Sequence, residues 1–377
     1  MLATTLGTRA RVPIGWVVET IPEYQIGDAM GQEPYLFSGI QGTSQLSDGR
    51  VVVLDEASCE FRFFGQDGAF LERTGGIGDG PGEFKPTVRG CVWVPSPGTD
   101  SLRAFDGTRL SFFDDRGLFI RRLRTTWRGE SVQDVLGTVG QRVLVVRRFF
   151  PISDEEGVSN DPSTADFALL EIESWQVAWE GFFQGRQLYT VPLPNSPYGR
   201  SLWDTPFDIL PDAVLGWDGF FLTLGEDEGP EILEYDTSGR LRRVLRLAEP
   251  ALAPSFEDIE KLVEFKLDPY DMADTTRKRI TDSRKRRYGK MPLPKILPVF
   301  SRLLVDDVGW LWAELYRYDV RQPVRWLVFG PGGEGLGSVD MPPDLYVWQI
   351  GHDFVLGVWQ DENEVEYVRR YALTGRR

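Results

Sequence analysis

The stretch Phe63-Phe64-Gly65-Gln66-Asp67-Gly68-Ala69-Phe70-Leu71 decides the fold because its pattern returns down the chain. An apolar strand end, a polar turn with glycine and a second apolar strand recur at Phe112-Phe113-Asp114-Asp115-Arg116-Gly117-Leu118-Phe119-Ile120 and at Glu234-Tyr235-Asp236-Thr237-Ser238-Gly239-Arg240-Leu241. A weaker copy is Val328-Phe329-Gly330-Pro331-Gly332-Gly333, and a glycine-free copy fits Leu170-Glu171-Ile172-Glu173-Ser174-Trp175-Gln176-Val177. Glycine tolerates the positive φ of such turns and Asp closes them by side-chain to backbone bonds, so each phrase predicts a hairpin. The copies begin at 63, 112, 170, 234 and 328, in steps of 49, 58, 64 and 94. Removing one insertion of roughly 40 residues brings the last step to about 54, and a repeat near 50 residues made of short strands predicts propeller blades.

Composition agrees with an all-β reading. A closed propeller is one unit made large by radial repetition, so we expect a single domain over residues 1–377. Twenty-three Phe, 12 Trp and 12 Tyr suit strands stacked face to face between blades, and 40 Gly and 25 Pro supply turns. The formal charge of −15 with one histidine repels nucleic acid and anionic lipid over most of the surface, so no nucleic-acid partner is expected. Cys59 and Cys91 pair only if the fold brings them together, and the usual burial of free cysteine favours two unpaired buried thiols. No run of 18 apolar residues exists to span a membrane as a helix. The opening segment, residues 1–11, lacks the apolar core of a signal peptide, which places the chain as written in the cytoplasm, or in the periplasm if the true start lies upstream.

Read as blades, the chain predicts strands at 37–45, 50–55, 59–65 and 69–74, then at 88–94, 101–105, 109–113 and 118–123. A third set begins near 131 with 142–146, 167–172 and 176–182, separated by a polar surface loop at 151–162. The fourth takes 207–215, 219–224, 230–235 and 240–247. Ser255 then precedes Phe256, Ile259, Leu262 and Val263 at helical spacing, with Asp258 placed to complete a cap, so a helical insertion is expected over about 255–292. A fifth blade resumes at 300–306, 310–315 and 324–329. The last segment offers strands at 345–350, 353–359 and 365–373 and then ends. The orphan strand Trp16-Val17-Val18-Glu19-Thr20-Ile21 would complete that blade and remove its open edge, giving six blades zipped by the two ends of the chain.

Two stretches carry a resemblance. Arg73-Thr74-Gly75-Gly76-Ile77-Gly78-Asp79-Gly80-Pro81-Gly82-Glu83-Phe84 resembles the inter-blade linker of bacterial six-bladed propellers related to NHL repeats. Pro298-Val299-Phe300-Ser301-Arg302-Leu303-Leu304-Val305-Asp306-Asp307-Val308-Gly309-Trp310-Leu311-Trp312 looks like the start of a later blade in the same group. The resemblance implies a binding platform and brings no particular activity with it.

Candidate chemistry is sparse. The glycine run at 75–82 has no Gly-x-Gly-x-x-Gly register and no Lys-Ser/Thr pair, so it reads as a linker rather than a phosphate loop. His352 and Asp353 are adjacent, and neighbouring strand positions point to opposite faces, so they make a poor proton relay. Asp55, Asp106, Asp236 and Asp306 end strands at blade-like positions and are the candidates for a channel metal, against their ordinary role of closing turns. No catalytic residue, metal ligand or cofactor is assigned.

The most distinctive surface feature is the basic run Arg277, Lys278, Arg279, Arg284, Lys285, Arg286, Arg287 and Lys290, with Asp282 as the one acid among them. Such segregation creates a local positive field inside an acidic protein, suited to phosphate headgroups or an acidic partner. The alternative is a helix face packed on the propeller's own acidic surface. The resulting expectation is a non-enzymatic interaction module, an extrinsic subunit of a larger, membrane-associated bacterial assembly such as a photosynthetic or respiratory complex. Its partners would be protein subunits, with peripheral contact to an anionic membrane. The other readings are an exported sugar- or peptide-binding propeller and a channel-metal hydrolase or lyase.

Overall fold

The computed structural model describes residues 2–6, 12–85, 90–149, 157–158, 164–184, 188–192, 200–207, 211–223, 230–247, 252–268, 272–291 and 293–376. Six antiparallel sheets follow one another along the chain as the blades of a propeller. The first blade contains Ile40–Gln45, Val51–Asp55, Glu60–Phe64 and Phe70–Gly75. The second has Val92–Trp93, Leu102–Phe105, Arg109–Phe113 and Phe119–Arg124, and the third Asp134–Val139, Arg142–Phe149, Thr164–Glu171 and Val177–Gln184. The fourth has Ala213–Leu215, Gly219–Thr223, Glu231–Asp236 and Leu241–Leu247, and the fifth Phe300–Val305, Leu311–Leu315, Val324–Phe329 and Gly335–Met341. The fifth blade thus has a fourth strand beyond the three expected.

The recurring phrase marks one place in the blade, the hairpin between third and fourth strands. Its glycines Gly68, Gly117, Gly239 and Gly333 have φ of 77°, 74°, 78° and 79°. In the glycine-free copy Trp175 holds the same left-handed position at φ 56°. In all five hairpins the register shifts at the turn, as expected when one residue bulges to re-aim a strand. The sixth blade lacks the phrase because its outer strand comes from elsewhere in the chain.

That blade has Leu345–Ile350, Phe354–Gln360 and Glu366–Thr374, and the N-terminal segment completes it. Val17–Val18 pairs with Thr374 and Leu373, and Tyr24–Ile26 pairs with Arg370, Arg369 and Val368. The closing strand therefore extends past the 16–21 segment read from sequence, as two short pieces. Upstream, Leu2–Leu6 lies parallel to Leu241–Leu247 on the fourth blade, and Pro13 bridges to Ser338 on the fifth. The N-terminal segment follows the outer edges of three blades in turn.

Six apolar clusters fill the spaces between successive blades, so each sheet is buried on both faces. The cluster joining the sixth blade to the first sets Val51, Val53 and Phe64 against Phe354, Leu356 and Val368, which closes the ring. A seventh cluster belongs to the insertion, whose helices are α1 (Phe256–Leu267) and α2 (Asp274–Tyr288). Ser255 and Asp258 form the reciprocal cap that the sequence predicts for α1.

Three expectations change or fall outside the described residues. Cys59 and Cys91 are buried as expected but are bonded to each other, with Cα atoms 5.6 Å apart, because the first and second blades bring residues 32 positions apart face to face. The 151–162 loop lies outside the described residues apart from Gly157–Val158, which forms a strand against Tyr189 and Thr190. The strands expected at 88–94 and 207–215 are partly outside them as well, and their described parts are Val92–Trp93 and Ala213–Leu215. Among the described residues no helix is long and apolar enough to cross a membrane.

Candidate functional sites: a basic helix and the channel mouth

The basic run coincides with α2 and its C-terminal turn. Arg277 donates to the Leu267 carbonyl at 3.0 Å, and Lys285 pairs with Glu260 of α1 at 2.8 Å. Lys266 sits 3.3 Å from the Tyr288 hydroxyl, and the Tyr288 ring is buried with Ile259, Leu262 and Val263. The helical pair is fixed to the fifth blade by Tyr318, which donates to Asp258 at 3.2 Å, and by Arg317 stacked 5.0 Å over Phe265. Helical periodicity therefore divides the run. Arg277, Arg284, Lys285 and Arg287 are half-buried, whereas Lys278, Arg279, Arg286 and Lys290 are exposed. Among the described residues these four exposed cations make no ion pair, so the described residues neutralise α2 only in part.

The strand-terminal aspartates do not converge. Consecutive antiparallel strands reverse direction, so the ends of first and third strands lie on one face of the ring and the ends of second strands on the other. Asp55 ends and Asp106 follows a second strand, Asp236 ends a third and Asp306 follows a first, which splits them between the two faces. Each is occupied by its own turn. Asp55 accepts from the Ser38 and Ser58 amides at 2.7 and 3.0 Å, and Asp106 from Thr108 and Arg109 at 3.2 and 2.8 Å. Asp236 accepts from the Ser238 and Arg240 amides, and these bonds, the Ser238 hydroxyl foremost, hold its carboxyl at about 2. Asp306 accepts from Val308, Trp310 and the Trp312 indole at 3.0, 2.8 and 2.8 Å. Among the described residues no three His, Cys, Asp or Glu side chains are grouped to hold a metal ion.

The glycine run connects the first blade to the second. Ile77 bridges to Phe84, Glu83 accepts from the Gly80 amide at 2.7 Å, and Arg122 donates to the Gly80 carbonyl at 2.8 Å. The Gly78 and Gly80 amides donate to Phe84 and Glu83 within the loop, and the Gly76 amide donates to the Cys59 carbonyl.

His352 and Asp353 occupy the exposed turn between the first two strands of the sixth blade, and there they border a cavity the sequence analysis missed. The cavity, about 860 Å3, is the mouth of the central channel on the face where first-to-second-strand turns converge. Its wall includes Ser47 and Asp48, the 95–101 turn, Trp217, Asp307 and Gln349. Gln349 ties three blades: its carbonyl accepts from the Gln45 amide at 2.6 Å, and its amide donates to the Gln45 carbonyl and to Asp307 at 3.2 and 3.1 Å. Asp307 is exposed at the rim of the cavity, yet the turns that line the mouth crowd its carboxyl. This crowding pushes its carboxyl up to about 6, Asp306 and Asp100 adding to the effect and Gln349 and Arg376 opposing it. The signal that would have found the cavity is positional, since turns after the first strand of each blade must meet at one end of the channel.

No family model matches the chain, and no curated protein does. Similar solved structures exist at very low identity. One is an exported-protein candidate from Bacteroides fragilis, 12% identical, covering 98% of both chains with a TM-score of 0.47. A member of the DUF4221 family from Bacteroides vulgatus is 13% identical, covering 95% of this chain and 98% of that one, with a TM-score of 0.43. A virginiamycin B lyase from Staphylococcus aureus is 8% identical, covering 94% and 99%, with a TM-score of 0.37. At these values they carry no functional argument, and the six-bladed assignment rests on the sheets and inter-blade clusters above.

Proposed function

We propose that the chain is a single-domain, NHL-like propeller without enzymatic activity that docks onto a larger assembly through α2. The observation that carries this reading is the face formed by Lys278, Arg279, Arg286 and Lys290, exposed and without ion pairs among the described residues in a chain of net charge −15. Arg277, Arg284, Lys285 and Arg287 support the same field from the half-buried side. A positive face on an acidic body speeds encounter with an acidic protein subunit or an anionic membrane and fixes orientation, because every other approach is repelled. A photosynthetic or respiratory membrane complex is the kind of assembly such a face fits.

The test is copurification from native cells with a Lys278→Gln, Arg279→Gln, Arg286→Gln, Lys290→Gln variant. Loss of partners with an unchanged unfolding midpoint supports the reading, and full retention overturns it. Cosedimentation with phosphatidylglycerol vesicles separates a lipid surface from a protein partner.

A second reading, an exported propeller that binds a sugar or peptide, is favoured by the Cys59–Cys91 bond, since disulfides persist in oxidising compartments. It departs from the cytoplasmic expectation, and cell fractionation distinguishes the two.

A further inference from the structure

A pocket of about 260 Å3 lies where the fourth and fifth blades meet the helical insertion, and no described residue of α2 lines it. Leu247 comes from the fourth blade, Leu252, Leu297 and Val299 from the two ends of the insertion, and Leu315 and Tyr316 from the fifth blade. Such a wall favours a ligand that carries apolar surface out of water. A cavity of about 150 Å3 lined by apolar side chains takes benzene, so this one has room for a ring and a short chain.

Two donors on this wall are left over. Among the described residues no acidic side chain lines the pocket, and its charged groups are Arg317 and Arg325. Arg325 is taken up by Asp340 at 2.6 and 2.9 Å. Arg317 is half-buried with its guanidinium 5.0 Å over Phe265, and among the described residues it has no ion pair. Gln322 is half-buried too, and its carbonyl oxygen accepts from the Tyr318 and Asp319 amides at 3.1 and 3.2 Å. Backbone amides only donate, so these two bonds decide which end of the Gln322 side chain is oxygen. Its amide nitrogen then donates to no group among the described residues. The Tyr318 amide follows directly on Arg317, so both donors belong to one turn of the pocket wall.

We infer that the pocket binds a small aromatic carboxylate, a single ring on a short alkyl chain, with its carboxylate at Arg317 and the Gln322 amide and its ring among Leu247, Leu252, Leu315 and Tyr316. An ionised carboxylate only accepts, and it matches a cation beside a neutral donor. The planar fork of arginine suits its two oxygens. An ammonium ligand would meet Arg317 with no acid to offset it, and a neutral apolar ligand would leave both donors unmatched.

Calorimetric titration of the intact chain with phenylbutyrate tests this, and we expect one saturable site per chain. Phenylbutyramide has the same shape without the charge and should bind at least about tenfold more weakly, a loss of about 1.4 kcal/mol. Gln322→Glu keeps the oxygen that accepts from Tyr318 and Asp319 but turns the free donor into a repelling carboxylate. Arg317→Met keeps an apolar stem over Phe265 and removes the cation. Each variant should weaken phenylbutyrate at least about tenfold with an unchanged unfolding midpoint. Absence of phenylbutyrate binding overturns the proposal, and so does equal binding of acid and amide by the parent chain, a comparison that needs no variant to fold. Equal binding by the two variants overturns it as well. So does tighter binding of N-acetylglycyl-phenylalanine, which would give the pocket to the end of a peptide chain.

Discussion

Asp306 and Arg376 form an ion pair of 2.7 Å whose side chains are 0% and 2% exposed, joining the first turn of the fifth blade to the last residues of the chain. The guanidinium is enclosed on its other sides, 5.0 Å over Trp16 and 4.6 Å over Trp310, and it donates to the Gly351 carbonyl at 3.0 Å. Trp16 stacks on Trp310 at 5.3 Å. The segment around Trp16, the C-terminal residues and two blades therefore meet at one buried charge pair.

Replacing Arg376 by Ala leaves Asp306 buried without its cation, and removal of one partner of a buried pair costs about 3–5 kcal/mol. The three donors that remain on Asp306 place the expected loss at the low end, about 3 kcal/mol. Chain ends usually tolerate trimming, so deleting residues 376–377 should be unusually damaging here. Urea unfolding checks this, and an unchanged midpoint in either variant refutes the latch.

Cutting the N-terminal segment attacks the same seam from the other side. Removal of residues 1–22 takes away Trp16 and the Val17–Val18 pairing with Leu373 and Thr374, and exposes an edge of the sixth blade. Thermal stability should fall sharply and aggregation should rise. A melting curve identical to that of the intact chain would show that Tyr24–Ile26 alone closes the ring.

The blade count was legible because the third-to-fourth-strand hairpin needs a left-handed residue every time, and Gly68, Gly117, Gly239 and Gly333 advertise it locally. The missing outer strand of the sixth blade and its source at Val17–Val18 followed from edge physics. The latch was not legible, since Asp306 and Arg376 are 70 positions apart and no local pattern pairs them. The cysteine pair was misjudged for the same reason, as spacing alone does not say that two blades face each other at Cys59 and Cys91. The aspartates looked equivalent by sequence, but a propeller alternates faces with each strand, so similar strand ends are not similar places. The channel mouth was missed because Thr43, Asp100, Trp217 and Asp307 come from four blades.

The disulfide closes a loop spanning 32 positions. Restricting the unfolded chain by a loop of that size stabilises by about 3–4 kcal/mol in the chain-entropy model. Thiol labelling in denaturant without reductant should find no free cysteine, and a Cys59→Ser, Cys91→Ser variant should unfold at markedly lower urea. Two reactive thiols in protein purified without reductant would contradict the bond.

Glycine at the repeated turn does two things, and a pair of variants separates them. Gly117 has φ 74°, and a Cβ there would lie 2.6 Å from Thr74 and 2.9 Å from Phe63. Gly129, in the separate hairpin of Thr126–Trp127 and Glu130–Ser131 outside the repeat, has φ 81° with nothing within 4 Å of a Cβ. Gly129→Ala should cost only the left-handed penalty, about 1–2 kcal/mol. Gly117→Ala should cost clearly more, because the Thr74 and Phe63 side chains of the first blade must also give way. Equal losses would mean that blade packing does not crowd the turn.

Asp307 gives the fold a predictable response to pH. Its carboxyl titrates at about 6 in the folded chain against 3.8 ordinarily, through crowding by the funnel wall with help from Asp306 and Asp100. The folded state thus holds this proton more tightly than the unfolded state. The associated stability is complete below the unfolded value and is lost as pH rises through about 6. Asn keeps the shape and does not ionise. The Asp307→Asn variant should therefore gain stability relative to the parent between about pH 4 and 6 and hold that gain above it. Urea midpoints for both proteins across this range check the sign. A constant difference at all pH values, or a gain that shrinks on going from acid to neutral, would show that the mouth does not destabilise the ionised carboxylate.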